Sequence, residues 1–243
     1  MDRLRRNRNM LEPIEAYNAF APVYQAYSQT RWPYLIAVER IVAIHARGAR
    51  SMLDVGAGDG TRSSRIAAEL NLCEVVLVEP SAGMRARCAP DLEVLSCTAA
   101  EIPLEDRRFD VIICLWNVLG HMIDAEGIVA SLMRFKSLLG STGSIFLDVA
   151  HRYNAAAYGW PKTLLRIARD FLAPSKTNGD VIVRWRMLDG QITTYGHAFT
   201  RKEMNSLFSR ASLRVRRHWI LDYASGVERS SPLLGHLLYQ LSA

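Results

Sequence analysis

From Ser51 onward, short runs of nearly continuous apolar residues alternate with longer segments whose apolar positions recur every three to four residues. The runs Ser51–Val55, Glu74–Glu79, Leu92–Cys97, Phe109–Trp116 and Ser144–Val149 predict strands. Their lack of polar alternation suits strands covered on both faces, as in a parallel sheet flanked by helices. Between them, Thr61–Leu70, Ser81–Ala89 and Asp124–Leu139 have helical length and period. The alternation predicts an α/β fold, a doubly wound and mostly parallel sheet with right-handed crossovers.

The flanks depart from that rhythm. Residues 16–46 read as helical before the first strand, and Trp160–Leu172 as an amphipathic helix after the fifth. Asp180–Leu188 and Gln191–Thr200 flank Asp189-Gly190, a pair favoured in hairpin turns. That hairpin is also a candidate edge for a homodimer. Thr200-Arg201-Lys202-Glu203 has the form of a capping box and starts a short helix. Leu213–Tyr223 reads as the closing strand. The expected organisation is one domain over residues 1–243. Residues 1–45 form an N-terminal helical cap and 46–150 a core. Residues 151–200 form an inserted helix-and-hairpin cover, and 201–243 a closing helix and strand.

Composition narrows the class. With 49% hydrophobic and 22% charged residues, the chain has the balance of a folded globular protein. No apolar run reaches the roughly 18–20 residues that span a bilayer. The arginines at positions 3, 5, 6 and 8 lack the apolar stretch of a secretory signal. No membrane partner and a cytoplasmic setting are therefore expected. Cys73, Cys88, Cys97 and Cys114 form no C-x-x-C pair, and no histidine stands at finger spacing to them, so no metal is expected. The net charge of +6 comes chiefly from arginine, which suits anionic partners but names none.

The chemistry concentrates after the first strand. Asp54-Val55-Gly56-Ala57-Gly58-Asp59-Gly60 follows an apolar strand and opens a helix. Glycines there allow a sharp turn and close approach of a ligand, and the helix start offers free backbone donors. Glu79 closes the next strand, 19 residues after Gly60, where an acid can accept ribose hydroxyls. A dinucleotide fingerprint requires glycine or alanine at the sixth position of its motif, but Thr61 stands there. The turn instead resembles the first motif of the class I S-adenosylmethionine-dependent methyltransferases. Glu79-Pro80-Ser81 with Met84 resembles the second motif, and Thr98-Ala99-Ala100 the adenine-contact segment. Phe109-Asp110-Val111-Ile112 resembles the fourth strand. Thr98 departs from the Asp that many members place there.

The resemblance implies a Rossmann-like, seven-stranded fold and methyl transfer from S-adenosylmethionine, with S-adenosylhomocysteine as product. It implies cofactor binding by Asp54, Gly56, Ala57, Gly58, Gly60, Glu79, Pro80, Met84, Thr98, Ala99, Ala100, Leu115 and Trp116. The Tyr-rich leader resembles that of small-molecule members, with Tyr24 or Tyr27 covering the cofactor and Arg31 pairing with its carboxylate. The acceptor would lie beyond the fourth and fifth strands, where Asn117, His121, His151 and Tyr153 are candidate bases or substrate contacts. His197 is a further candidate base. The chain lacks the [DN]-P-P-[YFW] motif, a Pro-Cys nucleophile and an Asp-Asn metal pair after the later strands. These absences point to metal-independent, in-line transfer to a small-molecule acceptor. Two alternatives stay open. Ser28-x-Thr30-Arg31-Trp32-Pro33 and the arginine excess distantly resemble tRNA-modifying methyltransferases, and a non-catalytic binding protein could keep the same cofactor fold.

Overall fold

The computed structural model describes residues 10–122, 124–187 and 190–243. Helices α1 (Pro13–Phe20), α2 (Tyr24–Gln29) and α3 (Trp32–His45) precede β1 (Ser51–Val55). Then come α4 (Thr61–Leu70), β2 (Glu74–Val78), α5 (Ala82–Arg85), β3 (Glu93–Leu95), β4 (Phe109–Cys114), α6 (Ala125–Leu138) and β5 (Leu139–Val149). The chain continues through α7 (Ala155–Tyr158), α8 (Trp160–Leu172), the hairpin strands β6 (Asp180–Met187) and β7 (Gly190–His197), α9 (Arg201–Arg210), β8 (Arg214–Leu221) and β9 (His236–Ser242).

Seven strands form one sheet in the order β3-β2-β1-β4-β5-β9-β8. The first five are parallel, and β9 is antiparallel to both β5 and β8. The order reverses between β1 and β4, which opens a crevice at the carboxyl ends of those strands. Strand burial explains the unbroken apolar runs: β1 is covered at all five positions. Ile128, Leu132 and Phe135 of α6 pack with Met204, Leu207 and Phe208 of α9 in the core on one face. Leu35, Val38 and Val42 of α3 pack with Ile66 of α4 on the other.

The doubly wound sheet matches the expectation; several elements differ from it. Residues 16–46 are helical as expected, in successive segments, with Pro22 and Pro33 each standing in the first turn of a new one. The helix expected over Ser81–Ala89 shortens to α5, and β3 covers only three residues. Leu213–Tyr223 does not close the fold. That role falls to β9, buried at every position between β5 and β8. The Thr200 capping box forms as expected, with both reciprocal bonds. Of the Asp189-Gly190 turn, Asp189 lies outside the described residues. Arg214, Arg216 and Arg217 stand exposed on β8, the sheet's edge, where charge discourages edge-to-edge pairing.

The hairpin β6–β7 stands apart from the main sheet. It packs on α1 through Trp185 and Ile192, which join Ala16, Phe20, Tyr24 and Met84 in a separate apolar cluster. Phe20 and Trp185 stack with ring centroids 4.3 Å apart. The Leu11 amide donates to the Thr193 carbonyl at 2.9 Å, tying the leader to β7. On its other side α1 meets the loop after β2, where Asn18 Oδ1 accepts from Ser81 Oγ (2.8 Å) and the Gly83 amide (2.9 Å).

Candidate active site

Two adjoining cavities occupy the crevice. The larger, about 440 Å³, lies over the ends of β1, β2 and β4 and is lined by Gly56, Gly58, Glu79, Thr98, Leu115 and Trp116 among others. The smaller, about 120 Å³, is walled by Phe20, Tyr27, Trp185 and Tyr223. Tyr17, Tyr24, Trp116 and His121 line both cavities and form the neck between them.

The floor of the larger cavity is built by glycine. Gly58 has φ +63°, and a Cβ there would come within 2.9 Å of the Tyr24 hydroxyl. Glu79 accepts from the Gly58 amide through Oε2 and from the Ser81 amide through Oε1, both at 2.8 Å. The carboxylate thus fixes both loops while facing the cavity. Burial raises its pKa to about 7 despite those two amides. Thr98 donates to Glu101 Oε2 at 2.6 Å, which leaves the hydroxyl's lone pairs free to accept. Thr98 can therefore accept from a donor in the cavity it lines while Glu101 holds its proton from behind.

Pro80, Ala99 and Ala100 line the same cavity. Asp54, Ala57, Gly60 and Met84 are not in its lining. Asp54 is fully buried and accepts from Ser63 Oγ at 2.6 Å, and burial pushes its pKa up. Met84 is equally buried and packs in the α1–hairpin cluster. These residues shape the turn from behind.

Arg31 does not reach either cavity. Its guanidinium lies 4.8 Å from the Tyr223 ring centroid and so supports that wall from outside. Among the described residues that line the larger cavity the cation is Arg62, at the second position of α4 and only 7% exposed, its Nε lacking a hydrogen-bond partner as that of Arg31 does outside. A buried guanidinium with spare donors favours a carboxylate ligand. Its signal in the sequence was its place one residue past the N-terminal residue of the helix that the glycine turn opens.

At the neck, His121 Nδ1 lies 3.1 Å from the Tyr195 carbonyl oxygen, and Nε2 lies 3.2 Å from the Tyr17 hydroxyl. A carbonyl can only accept, so Nδ1 carries the proton and Nε2 accepts from Tyr17. Burial lowers the His121 pKa, keeping the ring neutral. Trp116 and Asn117 follow with φ of +69° and +61°, a strained pair of non-glycine residues. Asp148 holds the bend by accepting from the Trp116 amide, while its Oδ2 accepts from the Tyr34 hydroxyl at 2.5 Å. Asn117 faces the smaller cavity, but its Oδ1 accepts from the Ala150 amide at 2.9 Å, so it ties β4 to β5.

His151 and Tyr153 are not brought to this site. Asp148 and Ala150 face the smaller cavity, so the two-residue period of an extended chain turns His151 the other way. His151 Nδ1 lies 2.6 Å from the Pro232 carbonyl, and burial lowers its pKa to about 4. Tyr153 donates to Asp170 at 2.5 Å, and both it and His151 line a separate, outer cavity of about 680 Å³. His197 is held between Asp180 at 2.8 Å and Arg152 at 3.2 Å. Conversely, His236 of β9 lines the smaller cavity, where burial lowers its pKa to about 3. The sequence reading missed it along with β9.

A strand order reversing at β1/β4, a glycine turn at that reversal and an acid closing β2 define the Rossmann-like S-adenosylmethionine-dependent methyltransferase fold. Within it, residues 52–143 match the family model described as a methyltransferase domain. Solved structures agree on the fold. An S-adenosylmethionine-dependent methyltransferase from Clostridium acetobutylicum covers 93% of this chain and 98% of its own at 11% identity, with TM-score 0.65. The sugar N-methyltransferase KedS8 from a Streptoalloteichus species covers 89% and 92% at 17% identity, TM-score 0.60. The amino pentose methyltransferase CalS10 from Micromonospora echinaspora, bound to S-adenosylmethionine, covers 91% and 97% at 17% identity, TM-score 0.60. No curated protein matches the chain.

Proposed function

We propose that this protein transfers the methyl group of S-adenosylmethionine to a small-molecule amine, with the cofactor in the larger cavity and the amine in the aromatic chamber. The observation that carries this reading is the shared neck, where Tyr17 and His121 line both cavities. When bound, S-adenosylmethionine supplies a methyl already activated on a sulfonium, which an acceptor lone pair displaces in line. No metal is needed for that displacement.

The chain's residues then have separable tasks. Glu79 accepts the ribose hydroxyls, Thr98 the adenine amine, and Arg62 holds the amino-acid carboxylate. The rings of Tyr24, Tyr27, Trp116 and Tyr223 exclude water and orient the acceptor. A methylated nitrogen passes through an ammonium, which electron-rich rings stabilise. Tyr17 takes the proton of that ammonium while passing its own to Nε2 of His121. Hydroxyl and thiol acceptors gain less from such walls. Two of the structural neighbours named above act on amino sugars or sugar nitrogen, which supports nitrogen as the acceptor atom. Incubating the protein with methyl-labelled S-adenosylmethionine and a panel of amino sugars, simple alkylamines and their hydroxyl counterparts tests this. Label is expected only in amines; label confined to hydroxyl compounds or to tRNA would overturn it.

The assignment of Arg62 has its own test. S-adenosylhomocysteine carries the carboxylate and 5′-methylthioadenosine does not. Arg62→Met is expected to weaken the first about ten- to a hundredfold, as loss of a charge-assisted pair implies, and to leave the second within about twofold. Calorimetric titration of both ligands reads this directly. Equal loss for the two would remove Arg62 from that role, and a loss in Arg31→Met instead would restore the sequence reading.

A further inference from the structure

Helix α8 is inside out. Its thirteen residues include a polar side, Thr163, Arg166 and Asp170, that faces the protein. Arg166 donates to the Arg152 carbonyl at 3.0 Å and lies 4.2 Å from the Tyr158 ring centroid. Asp170 takes Arg152 at 2.6 Å and Tyr153 at 2.5 Å. The opposite side carries Trp160, Leu164, Leu165, Phe171 and Leu172, between 52% and 84% exposed. A globular protein ordinarily turns such a stripe inward, and exposed apolar surface of this extent marks an interaction face.

The charges around the stripe say what covers it. Lys162 and Arg169 flank one of its edges, and Lys176 follows in the next loop. The one acid in this stretch, Asp170, is already taken by Arg152 and Tyr153. The exposed charges of α8 and of the loop after it are therefore basic. A second copy would bring like charges together, which disfavours self-pairing. Among the described residues no helix is long and apolar enough to cross a membrane. A helix lying in the plane of the interface has another signature: Trp, Phe and Leu on one side, Lys and Arg beside them, and low overall hydrophobicity. That signature is the one α8 carries.

We propose that α8 docks this protein on an anionic lipid surface, seating its outward stripe at the boundary between headgroups and acyl chains while Lys162, Arg169 and Lys176 meet the headgroup phosphates. The polar contacts to Arg152 and Tyr153 hold the helix against the protein. The docking face is formed without the cofactor site and stands whether or not the amine reading above holds.

Co-sedimentation of the full chain with vesicles tests it. One set contains phosphatidylglycerol and phosphatidylcholine in equal parts, and the other phosphatidylcholine alone. Binding to the anionic vesicles is expected, weakening in high salt as the charged contacts are screened. The double variant Leu165→Asp/Phe171→Asp alters only exposed side chains and is expected to lower the partition coefficient about tenfold or more, with an unchanged thermal melt. Light scattering on the same samples reads the oligomeric state. No sedimentation with anionic vesicles, or equal sedimentation of the variant, would overturn the proposal. So would a wild-type dimer that the variant converts to monomer, since that result gives the face to a second copy.

Discussion

Glu79→Ala is expected to weaken S-adenosylmethionine binding about a hundred- to a thousandfold. The carboxylate is assigned two ribose hydroxyls, and hydrogen bonds to a charged group contribute about 1.5–3 kcal/mol each. It also holds the Gly58 and Ser81 amides at 2.8 Å, so its loss loosens both loops that shape the cavity. The wild-type protein has a pH signature that the variant lacks. With the Glu79 pKa raised to about 7 by burial, part of the population is protonated at neutrality. The ribose hydroxyls donate to the ionised form, so affinity rises as pH increases through about 7 and flattens above. Between pH 6 and 8 the dissociation constant is expected to fall about tenfold. Calorimetry across that range reads both effects. A flat wild-type profile, or unimpaired binding by Glu79→Ala, would detach Glu79 from the cofactor.

The second large effect falls on turnover. His121→Ala and Tyr17→Phe are expected to lower kcat about a hundred- to a thousandfold, the usual scale for a lost proton acceptor. Cofactor affinity should stay within about threefold, because neither residue touches the assigned ribose or carboxylate contacts. A purely structural role would move the melting temperature and the cofactor affinity together with kcat. In the wild type at saturating cofactor, with the acceptor amine's own ionisation divided out of the profile, the rate should decline only on the acid side and below the ordinary histidine pKa, since burial lowers that of His121. The sign is set by the ring: protonation of Nε2 removes the atom that accepts from Tyr17. An alkaline decline, or full activity in His121→Ala, would end the assignment.

Much of the larger cavity's lining could be read from residue order because it depends on local chemistry. Glycine at 56 and 58 is demanded by φ of +75° and +63°, and the acid at 79 by its place at the end of β2. Such requirements leave a sequence mark wherever they occur. The lining of the smaller cavity depends on which elements meet: of the residues expected beyond β4 and β5, Asn117 and His121 line it, while His151 and Tyr153 line the outer cavity. Tyr17 comes from α1, Trp185 from the hairpin and His236 from β9, a strand whose last residue, Ser242, is the penultimate one of the chain. Nothing local to His236 distinguishes it from His151. Their difference is the parity of an extended segment and the insertion of β9 between β5 and β8. Arg31 and Arg62 show the same division. Both fit a carboxylate by chemistry, yet only the one on α4 lines the crevice that the strand reversal opens.

The measurement that tests the central claim most directly is a crystal structure of the protein with S-adenosylhomocysteine. The account predicts ribose hydroxyls on Glu79, the amino-acid carboxylate on Arg62, and the sulfur turned toward the neck at Tyr17 and His121, with the aromatic chamber beyond it. Ligand seated in the outer cavity beside His151 and Tyr153, or with its sulfur turned away from the chamber, would contradict it.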